Sequence, residues 1–252
     1  MIIDAPRKEA IPRLRELWQQ AFGDTDAFLD GFFNTGFSPD RCRCLQADGV
    51  LAAALYWFDC DFRGKKLAYI YAVATDAAFR GRGLCRALME DTHEHLRRLG
   101  YRGAVLVPGD RELFSLYGKL GYRSFCPMTQ LRVLGEQGNM PLETLTPEAY
   151  ETLRRQRLPA GGILQEGATL AFLETFTGFY AWGDGCFCAA REGSTVYFQE
   201  YLADPALLPV AVAALGGNEG VALLPGDGPD RGMYLPLAER EAIPQYLGLA
   251  LN

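Results

Sequence analysis

The first half of the chain shows a clear change from strand-like to helix-like spacing of its apolar residues. Residues 67–74 contain no charge and no glycine or proline, as is typical of a strand that is buried on both faces. Residues 84–99 instead repeat mostly apolar positions at helical spacing and carry their charges on the opposite face. The pattern therefore predicts a strand and an amphipathic helix joined by a short turn.

Similar patterns predict the elements on either side. Residues 8–22, and a short segment that begins after Asp24-Thr25, have helical periodicity. Residues 42–47 and 50–61 flank Asp48-Gly49, as expected of a β-hairpin. Beyond the amphipathic helix, 104–107 is a short apolar strand and Asp110 can cap another helix. The predicted order is two helices, three antiparallel strands, a right-handed parallel crossover, and a final helix and strand.

The turn between the buried strand and the amphipathic helix has the composition of a phosphate-binding site. Residues 79–86 read Phe-Arg-Gly-Arg-Gly-Leu-Cys-Arg. Glycines let the backbone approach a ligand, and the N–H groups and dipole of the following helix favour an anion. Nucleotide-binding folds share this pattern, but the spacing G-x-G-x-x-G is not completed and no Gly-Lys-Ser/Thr is present. A nucleotide-binding domain is therefore disfavoured.

Together with a second motif, this turn resembles the GNAT acyltransferase superfamily. The family's acyl-CoA loop, Arg/Gln-x-x-Gly-x-Gly/Ala, is matched by residues 80–85, although Cys85 stands where the family has a small residue. The family's Tyr-x-Lys-x-Gly-Phe/Tyr signature is matched by residues 117–122, with Asp110 at a position where Asn is frequent. The resemblance covers roughly residues 1–135. It looks closest to the enhanced-intracellular-survival acetyltransferases, in which a second, degenerate GNAT-like unit follows the first.

The expected fold is α/β with a mixed sheet, divided into two domains by a polar stretch at 134–141. A GNAT acyl-CoA-binding catalytic domain would occupy 1–135, and a smaller, degenerate GNAT-like α+β domain would occupy 141–252. The second half repeats the order of the first, with helical segments after Thr146 and at 168–180, a hairpin over 186–201, a helix at 205–215 and a strand at 221–224. An unrelated α+β domain is the alternative. Because residues 202–205 replace the glycine–arginine turn, we expect only the first domain to bind CoA.

Composition excludes several classes of function. The chain has 252 residues, of which 49% are hydrophobic and 22% charged, which is ordinary for a soluble globular protein. A net charge of −6 gives no electrostatic support for binding nucleic acid and weakly favours a cationic substrate. No apolar run approaches transmembrane length and the N-terminus lacks a signal-peptide core, so we expect a cytoplasmic protein without a membrane partner. Oligomeric state is left open.

The cysteines and histidines do not predict a metal site. The seven cysteines include no Cys-x-x-Cys pair, and the two histidines, His93 and His95, are two residues apart on a predicted helix. That spacing turns their side chains about 200° apart, so they cannot bind one ion together. We expect structural or free thiols, a Cys85 that packs rather than reacts, and histidines on the helix flank without a chemical role.

The resemblance implies acetyl-CoA as cosubstrate and a primary amine, of a small molecule or a peptide, as acceptor. The amine would attack the thioester directly in a ternary complex. The loop would hold the pyrophosphate and the preceding strand would pair with the pantetheine arm, which gives these expected binding residues: Val73, Ala74, Thr75, Arg80, Gly81, Arg82, Gly83, Leu84, Cys85 and Arg86. Tyr117 matches the family tyrosine that protonates the departing thiolate; without the motif it would be read as a core aromatic residue.

The general base is not evident from the sequence. Residues 67–74 contain no carboxylate, and Asp59 and Asp61 on the neighbouring strand are most simply solvated charges. Water, an amine that arrives neutral, or the C-terminal carboxylate of Asn252, which related enzymes bring into the active site, are the alternatives. Candidate pocket residues are Asp26, Phe28, Phe32 and Asn252. The missing carboxylate and Asp110 also keep open a non-catalytic acyl-CoA-binding or regulatory protein on a GNAT scaffold.

Overall fold

The computed structural model describes residues 1–251, which form two compact units. Unit 1 contains Met1–Arg123 and Met233–Ala242, and unit 2 contains Ser124–Gly232 and the described residues from Ile243 onward. Each unit is thus built from two segments of the chain, whereas the sequence predicted two continuous domains, 1–135 and 141–252. The difference arises because one long strand, Glu219–Pro236, contributes residues to both units.

Unit 1 contains four helices and five strands, with a sixth strand supplied by Met233–Pro236. The helices are α1 (Ile11–Phe22), α2 (Asp26–Gly31), α3 (Leu84–Arg98) and α4 (Arg111–Gly118). The strands are β1 (Ile2–Asp4), β2 (Cys42–Ala47), β3 (Val50–Phe62), β4 (Lys65–Thr75) and β5 (Gly103–Leu106). Strands β1 to β4 pair antiparallel in order, β5 pairs parallel with β4, and Met233–Pro236 pairs antiparallel with β5. The predicted order is confirmed from α1 to α4, whereas β1, which precedes α1 and pairs with β2, was not predicted.

The sheet of unit 1 is covered on both faces because its strands alternate. On β3, Leu55 and Trp57 belong to a core that includes Leu88 and Leu96 of α3. Tyr56, between them, points to the other face and packs against Trp18 of α1 at a ring distance of 5.3 Å. The two-sided burial explains why β3 and β4 read as nearly continuous apolar runs.

Unit 2 repeats this topology with seven strands and three helices. The strands are β6 (Arg123–Leu134), β7 (Glu143–Leu145), β8 (Leu164–Gln165), β9 (Gly178–Trp182), β10 (Gly185–Glu192), β11 (Thr195–Leu202) and β12 (Glu219–Pro236), and the helices are α5 (Pro147–Arg157), α6 (Ala168–Leu173) and α7 (Leu208–Ala214). Strands β7, β9, β10 and β11 pair antiparallel, and β11 pairs parallel with β12. Strands β1 to β5 follow the same order, also with a helix before the parallel strand. The predicted mixed fold is confirmed.

One element of unit 2 was predicted incorrectly. The segment 168–180 is helical only as far as Leu173, and Gly178 begins a strand. Residues 178–182 alternate between buried and partly buried positions, which is the strand period. The prediction extended the helix too far because the aromatic residues of the following strand also fit helical spacing.

A buried ion pair lies inside unit 2. The side chains of Arg154 on α5 and Glu200 on β11 are both inaccessible to solvent, and Arg154 Nε donates to Glu200 Oε2 at 2.6 Å. The hydroxyls of Tyr150 and Tyr246 donate to the same carboxylate at 2.7 and 3.0 Å. The guanidinium is held in its charged form because the carboxylate offsets its desolvation. A buried charge of this kind depends on its partner.

Replacing Glu200 with Ala is expected to lower the free energy of unfolding by about 3–5 kcal/mol, because Arg154 is left buried and uncompensated. The double variant Arg154→Met/Glu200→Leu should recover much of this loss. Urea unfolding followed by circular dichroism measures both. A loss below about 1 kcal/mol for Glu200→Ala would contradict the claim that Arg154 depends on Glu200 for its stability in the interior.

Candidate active site

Strand β4 leaves its neighbour β5 partway along its length. Pairing between the two strands covers Leu67 to Tyr69, whereas pairing with β3 continues to Thr75. On the β3 side the register shifts between the pairs Ala54↔Ala74 and Tyr56↔Tyr71, so β4 has one residue more than β3 in this interval. Ala72 lies in this bulge with a φ of +48°. The second half of β4 therefore has an edge that β5 does not cover.

Alternation along β4 decides which backbone groups face that edge. The amide of Asp76 donates to Ala52 O at 2.8 Å, so Asp76 is directed toward β3. Two residues earlier, Ala74 has the same orientation, and Val73 and Thr75 are directed away from β3. Three strand residues were predicted to bind the pantetheine arm. Val73 and Thr75 present their backbone amides to the uncovered edge, whereas the backbone groups of Ala74 bond to β3 within the sheet.

The loop after β4 leads into an open helix N-terminus. Gly81 and Gly83 have φ values of +76° and +75°, in the left-handed region that favours glycine. Gly83 is the N-cap of α3 and has no side chain to occupy the first N–H groups. The amide of Ala87 donates to Gly83 O at 3.1 Å. The amides of the first turn, from Leu84 to Arg86, are therefore available to an anion.

The three arginines of the loop differ in their surroundings. Arg82 donates to Asp48 at 2.8 Å and stacks over Phe79 at 5.1 Å, and Arg86 donates to Glu90 at 2.8 Å. Arg80 donates to Thr75 O at 3.2 Å, which ties the loop to the uncovered edge of β4. Two of the three positive charges are therefore already paired with carboxylates. All three arginines are exposed.

Cys85 is partly buried at the start of α3. Burial raises the pKa of its thiol. A raised pKa favours the neutral thiol, which is a poor nucleophile, so the side chain is suited to packing. Its partial burial against the core of unit 1 agrees with that role.

A residue that the sequence analysis missed fixes the base of the loop. The carboxylate of Asp76 accepts the amide of Ala78 at 2.8 Å and the guanidinium of Arg13 on α1. The Ala78 amide and Arg13 hold the pKa of Asp76 below its usual range. Asp76 thereby caps the short 3-10 turn Ala77–Phe79 that leads to Arg80. No local pattern indicates this contact, because Arg13 is 63 residues away in sequence.

Tyr117 lies near the start of α3, although it comes from α4. Its side chain is buried, with 6% of the residue exposed, in the same cluster that Cys85 packs against. Burial raises the pKa of Tyr117 well above its usual value, and the neighbouring Cys85 and Asp110 act in the same direction. The hydroxyl is therefore protonated at neutral pH, the form that a proton donor requires. Asp110 is the N-cap of α4 and accepts the Leu113 amide at 2.9 Å.

The flank of α3 that carries His93 is buried. The Nε2 of His93 is 2.9 Å from the hydroxyl of Tyr122, whose ring packs edge-to-face with Tyr117 at 5.8 Å. Burial, helped by Arg97, lowers the pKa of His93 to about 4, so the imidazole is neutral at neutral pH. The sequence predicted the place of His93 on the helix flank but not its burial against Tyr122.

The two acidic residues of β3 are far from the uncovered edge of β4. Asp59 accepts the Tyr101 hydroxyl and is 3.5 Å from Lys66 Nζ, and Asp61 accepts the Gly64 amide at 2.9 Å. Asp59 pairs with Ala68, six residues before Ala74. That separation corresponds to about 20 Å along the strand. Both carboxylates have structural partners where they stand.

The predicted pocket residues are divided by the structure. Phe32 packs against Trp18 at 4.7 Å, and Phe28 is 6.5 Å from the same ring. Trp18 also contacts Tyr71, which directly precedes the bulge in β4, at 5.4 Å. Asp26 is instead exposed and accepts Gln19 Nε2 at 2.7 Å. Asn252, the fourth candidate, lies outside the described residues.

The turn before α7 in unit 2 lacks the glycines and arginines of the loop before α3, because residues 205–207 are Pro-Ala-Leu. The carboxylate of Asp204 accepts the Ala206 amide at 3.0 Å, as that of Asp76 accepts the Ala78 amide in unit 1. Residues 203–207 therefore offer no basic side chain to an anion. Within residues 1–251, no helix is long and apolar enough to cross a membrane, and no group of three His, Cys, Asp or Glu side chains is arranged to hold a metal ion.

Comparisons with known proteins agree with this geometry. Residues 3–125 match the family model of the acetyltransferase (GNAT) domain, and this range contains both the loop before α3 and residues 117–122. No curated protein matches the chain.

Solved structures share the fold over most of the chain. A GCN5-related N-acetyltransferase from Anabaena variabilis has a TM-score of 0.74 at 19% identity, covering 94% of this chain and 73% of that one. Eis1 from Mycobacterium abscessus has a TM-score of 0.68 at 13% identity, covering 94% of this chain and 74% of that one. A tandem GNAT protein from the clavulanic acid biosynthesis pathway has a TM-score of 0.57 at 11% identity, covering 94% of this chain and 98% of that one. At such identities the likeness is one of fold. Together with the family model, it identifies residues 3–125 as a GNAT acetyltransferase domain.

Proposed function

We propose that the protein is an N-acetyltransferase that moves the acetyl group of acetyl-CoA to a primary amine by direct attack in a ternary complex. One observation carries the proposal: the uncovered edge of β4 leads directly into the uncapped N-terminus of α3, with the protonated Tyr117 beside it. A peptide-like chain that ends in a diphosphate suits such a continuous surface. Acetyl-CoA would supply an activated thioester there.

The edge of β4 and the loop would divide the binding work. The amides of Val73 and Thr75 can bond a pantetheine arm as a further strand would, and an amide close to the thioester oxygen stabilises its developing charge by about 3 kcal/mol. The first-turn amides of α3 and the side chains of Arg80 and Arg82 would hold the diphosphate. Cys85 would pack beneath it.

Tyr117 would donate the proton that the departing thiolate requires. A phenol with a raised pKa stays protonated until the thiolate forms, so its proton is available at that step. The attacking nitrogen would lose its proton to water once the C–N bond has formed, and an amine that arrives charged would first lose one more proton to water. Phe28, beside Trp18 and Tyr71, would line the acceptor side, and the buried Phe32 would support Trp18.

Replacing Tyr117 with Phe is expected to lower turnover by roughly 10²–10⁴-fold while acetyl-CoA still binds, because only the proton donor is lost. Release of free CoA thiol measures turnover, and calorimetric titration measures binding. Tyr201→Phe, which removes a hydroxyl from unit 2, is the matched control. Turnover near wild type in Tyr117→Phe would refute the assignment, and a wild-type protein that binds CoA but acetylates no amine in a library would favour a non-catalytic role.

Replacing Arg82 with Ala should weaken CoA binding roughly tenfold, because a charge-assisted contact to phosphate is lost. Gly83→Asp should weaken it further, since it adds a negative charge and strains a left-handed residue. Asp48→Asn should strengthen binding, because it releases Arg82. Calorimetry with CoA measures all three, with Arg98→Ala at the far end of α3 as the charge-matched control. Equal effects of Arg82→Ala and Arg98→Ala would remove the loop from the binding site.

Replacing Asp76 with Ala should raise the KM for acetyl-CoA roughly tenfold and leave kcat at saturation unchanged, because the loop loses its anchor but the reacting groups stay. Asp76→Asn, which keeps an acceptor for Ala78 but loses the charge toward Arg13, should fall between. Because the pKa of Asp76 lies below its usual range, the carboxylate is ionised at both pH 6 and pH 8, and the effect should be the same at the two pH values. A fall in kcat without a change in KM would contradict this role.

A further inference from the structure

Two buried residues beside Tyr117 have no role in the proposed reaction. The ring of Tyr122, which follows α4, packs edge-to-face with the ring of Tyr117 at 5.8 Å. The hydroxyl of Tyr122 is 2.9 Å from Nε2 of His93 on α3. All three side chains are buried in unit 1. A continuous series of buried contacts thus leads from α3 through Tyr122 to Tyr117.

The backbone also ties Tyr122 to Tyr117. The amide of Tyr122 donates to Tyr117 O at 3.1 Å, and the amide of Gly121 donates to Gly118 O at 3.0 Å. These are the two bonds of a Schellman motif, with Gly121 as its left-handed residue at a φ of +92°. The motif fixes the backbone of Tyr122 relative to α4 but leaves the direction of its side chain to other contacts. His93 supplies a hydrogen bond that sets this direction.

Stability alone does not require a histidine at this position. An imidazole and a phenol hydroxyl both lose hydration when they are buried, and their mutual hydrogen bond offsets that loss. Two apolar side chains of the same shape would be nearly neutral for stability, or would increase it. A hydrogen bond differs from such packing because it is directional, and it therefore holds the ring of Tyr122 in one position.

We propose that His93 is a positioning residue for Tyr117, which it holds through the ring of Tyr122. This rests on the proposed transferase function, in which Tyr117 donates a proton to the departing thiolate. Proton transfer needs the donor within hydrogen-bond reach of the acceptor, and a displacement of about 1 Å can cost about 10²-fold in rate. The ring of Tyr122 separates His93 from Tyr117, so His93 acts on the position of the Tyr117 hydroxyl and not on its proton.

The first test compares His93→Phe with the wild type. Phenylalanine fills the space of the imidazole but cannot bond the Tyr122 hydroxyl, so turnover should fall roughly tenfold while the KM for acetyl-CoA stays within about twofold. In a chain that already carries Tyr117→Phe, the same change should lower the residual turnover less than about twofold, because the hydroxyl that it positions is gone. His93→Gln, whose amide can still bond the Tyr122 hydroxyl, should keep most of the wild-type turnover.

The double variant His93→Phe/Tyr122→Phe separates position from stability. It leaves neither partner of the hydrogen bond unpaired, so its midpoint of urea unfolding should return close to that of the wild type. Its turnover should stay roughly tenfold low, because the directional contact is still absent. Thr92→Val is the matched control, since it removes a buried hydroxyl of α3 that donates to Leu88 O at 2.7 Å on the same helix. Its turnover should stay within about twofold of wild type.

The position of Tyr117 can also be followed without activity, by NMR of protein labelled with ¹³C-tyrosine. The Tyr117 signal is the one that Tyr117→Phe lacks, and it should shift in His93→Phe but not in Thr92→Val. The proposal is overturned if that signal does not shift, if the double variant recovers its turnover, or if His93→Phe has its full effect without the Tyr117 hydroxyl. An equal loss in Thr92→Val would also overturn it. If the wild type transfers no acetyl group, the proposed function fails, and the NMR comparison alone decides whether His93 positions Tyr117.

Discussion

The bulge in β4 is the constraint on which the candidate site depends. Strand β4 remains paired with β3 on both sides of the bulge, and the extra residue is accommodated by Ala72 with its positive φ. A left-handed conformation costs a residue with a Cβ roughly 1–2 kcal/mol. The strained residue lies in the strand whose pairing with β5 ends at Tyr69. Strain in a strand that would pair more fully without it is typical of a binding site rather than of a structural sheet.

The two units share a topology but differ in the turn that precedes the crossover helix. Both have a helix between two parallel strands, but the turn before α3 contains two glycines and two arginines, whereas residues 205–207 before α7 contain neither residue type. Unit 2 instead has a buried charge, Arg154, that is paired with Glu200. The turn of unit 1 thus presents arginines to solvent, and the corresponding turn of unit 2 does not.

Local patterns predicted the elements, and contacts between distant residues account for what was missed. The stripe from Leu84 to Leu96 gave α3 correctly because helical spacing is a property of the segment itself. The contact of Asp76 with Arg13 and the burial of His93 against Tyr122 depend on segments that meet only in the fold. The same holds for β12, whose last residues pair with β5. The two motifs could indicate which residues form the site, but not which of them already have partners.

Those partners change how the loop should attract an anion. The sequence suggests three free arginines, but Asp48 and Glu90 already neutralise two of them. An exposed ion pair contributes only about 0–1 kcal/mol, so exchanging the Asp48 carboxylate for a diphosphate at Arg82 costs little. The guanidinium can form two parallel hydrogen bonds with a phosphate group. The directional part of the attraction then comes from the first-turn amides of α3, which have no such competitor. On this view the glycines, by keeping that helix end open, matter more to binding than the number of arginines around it.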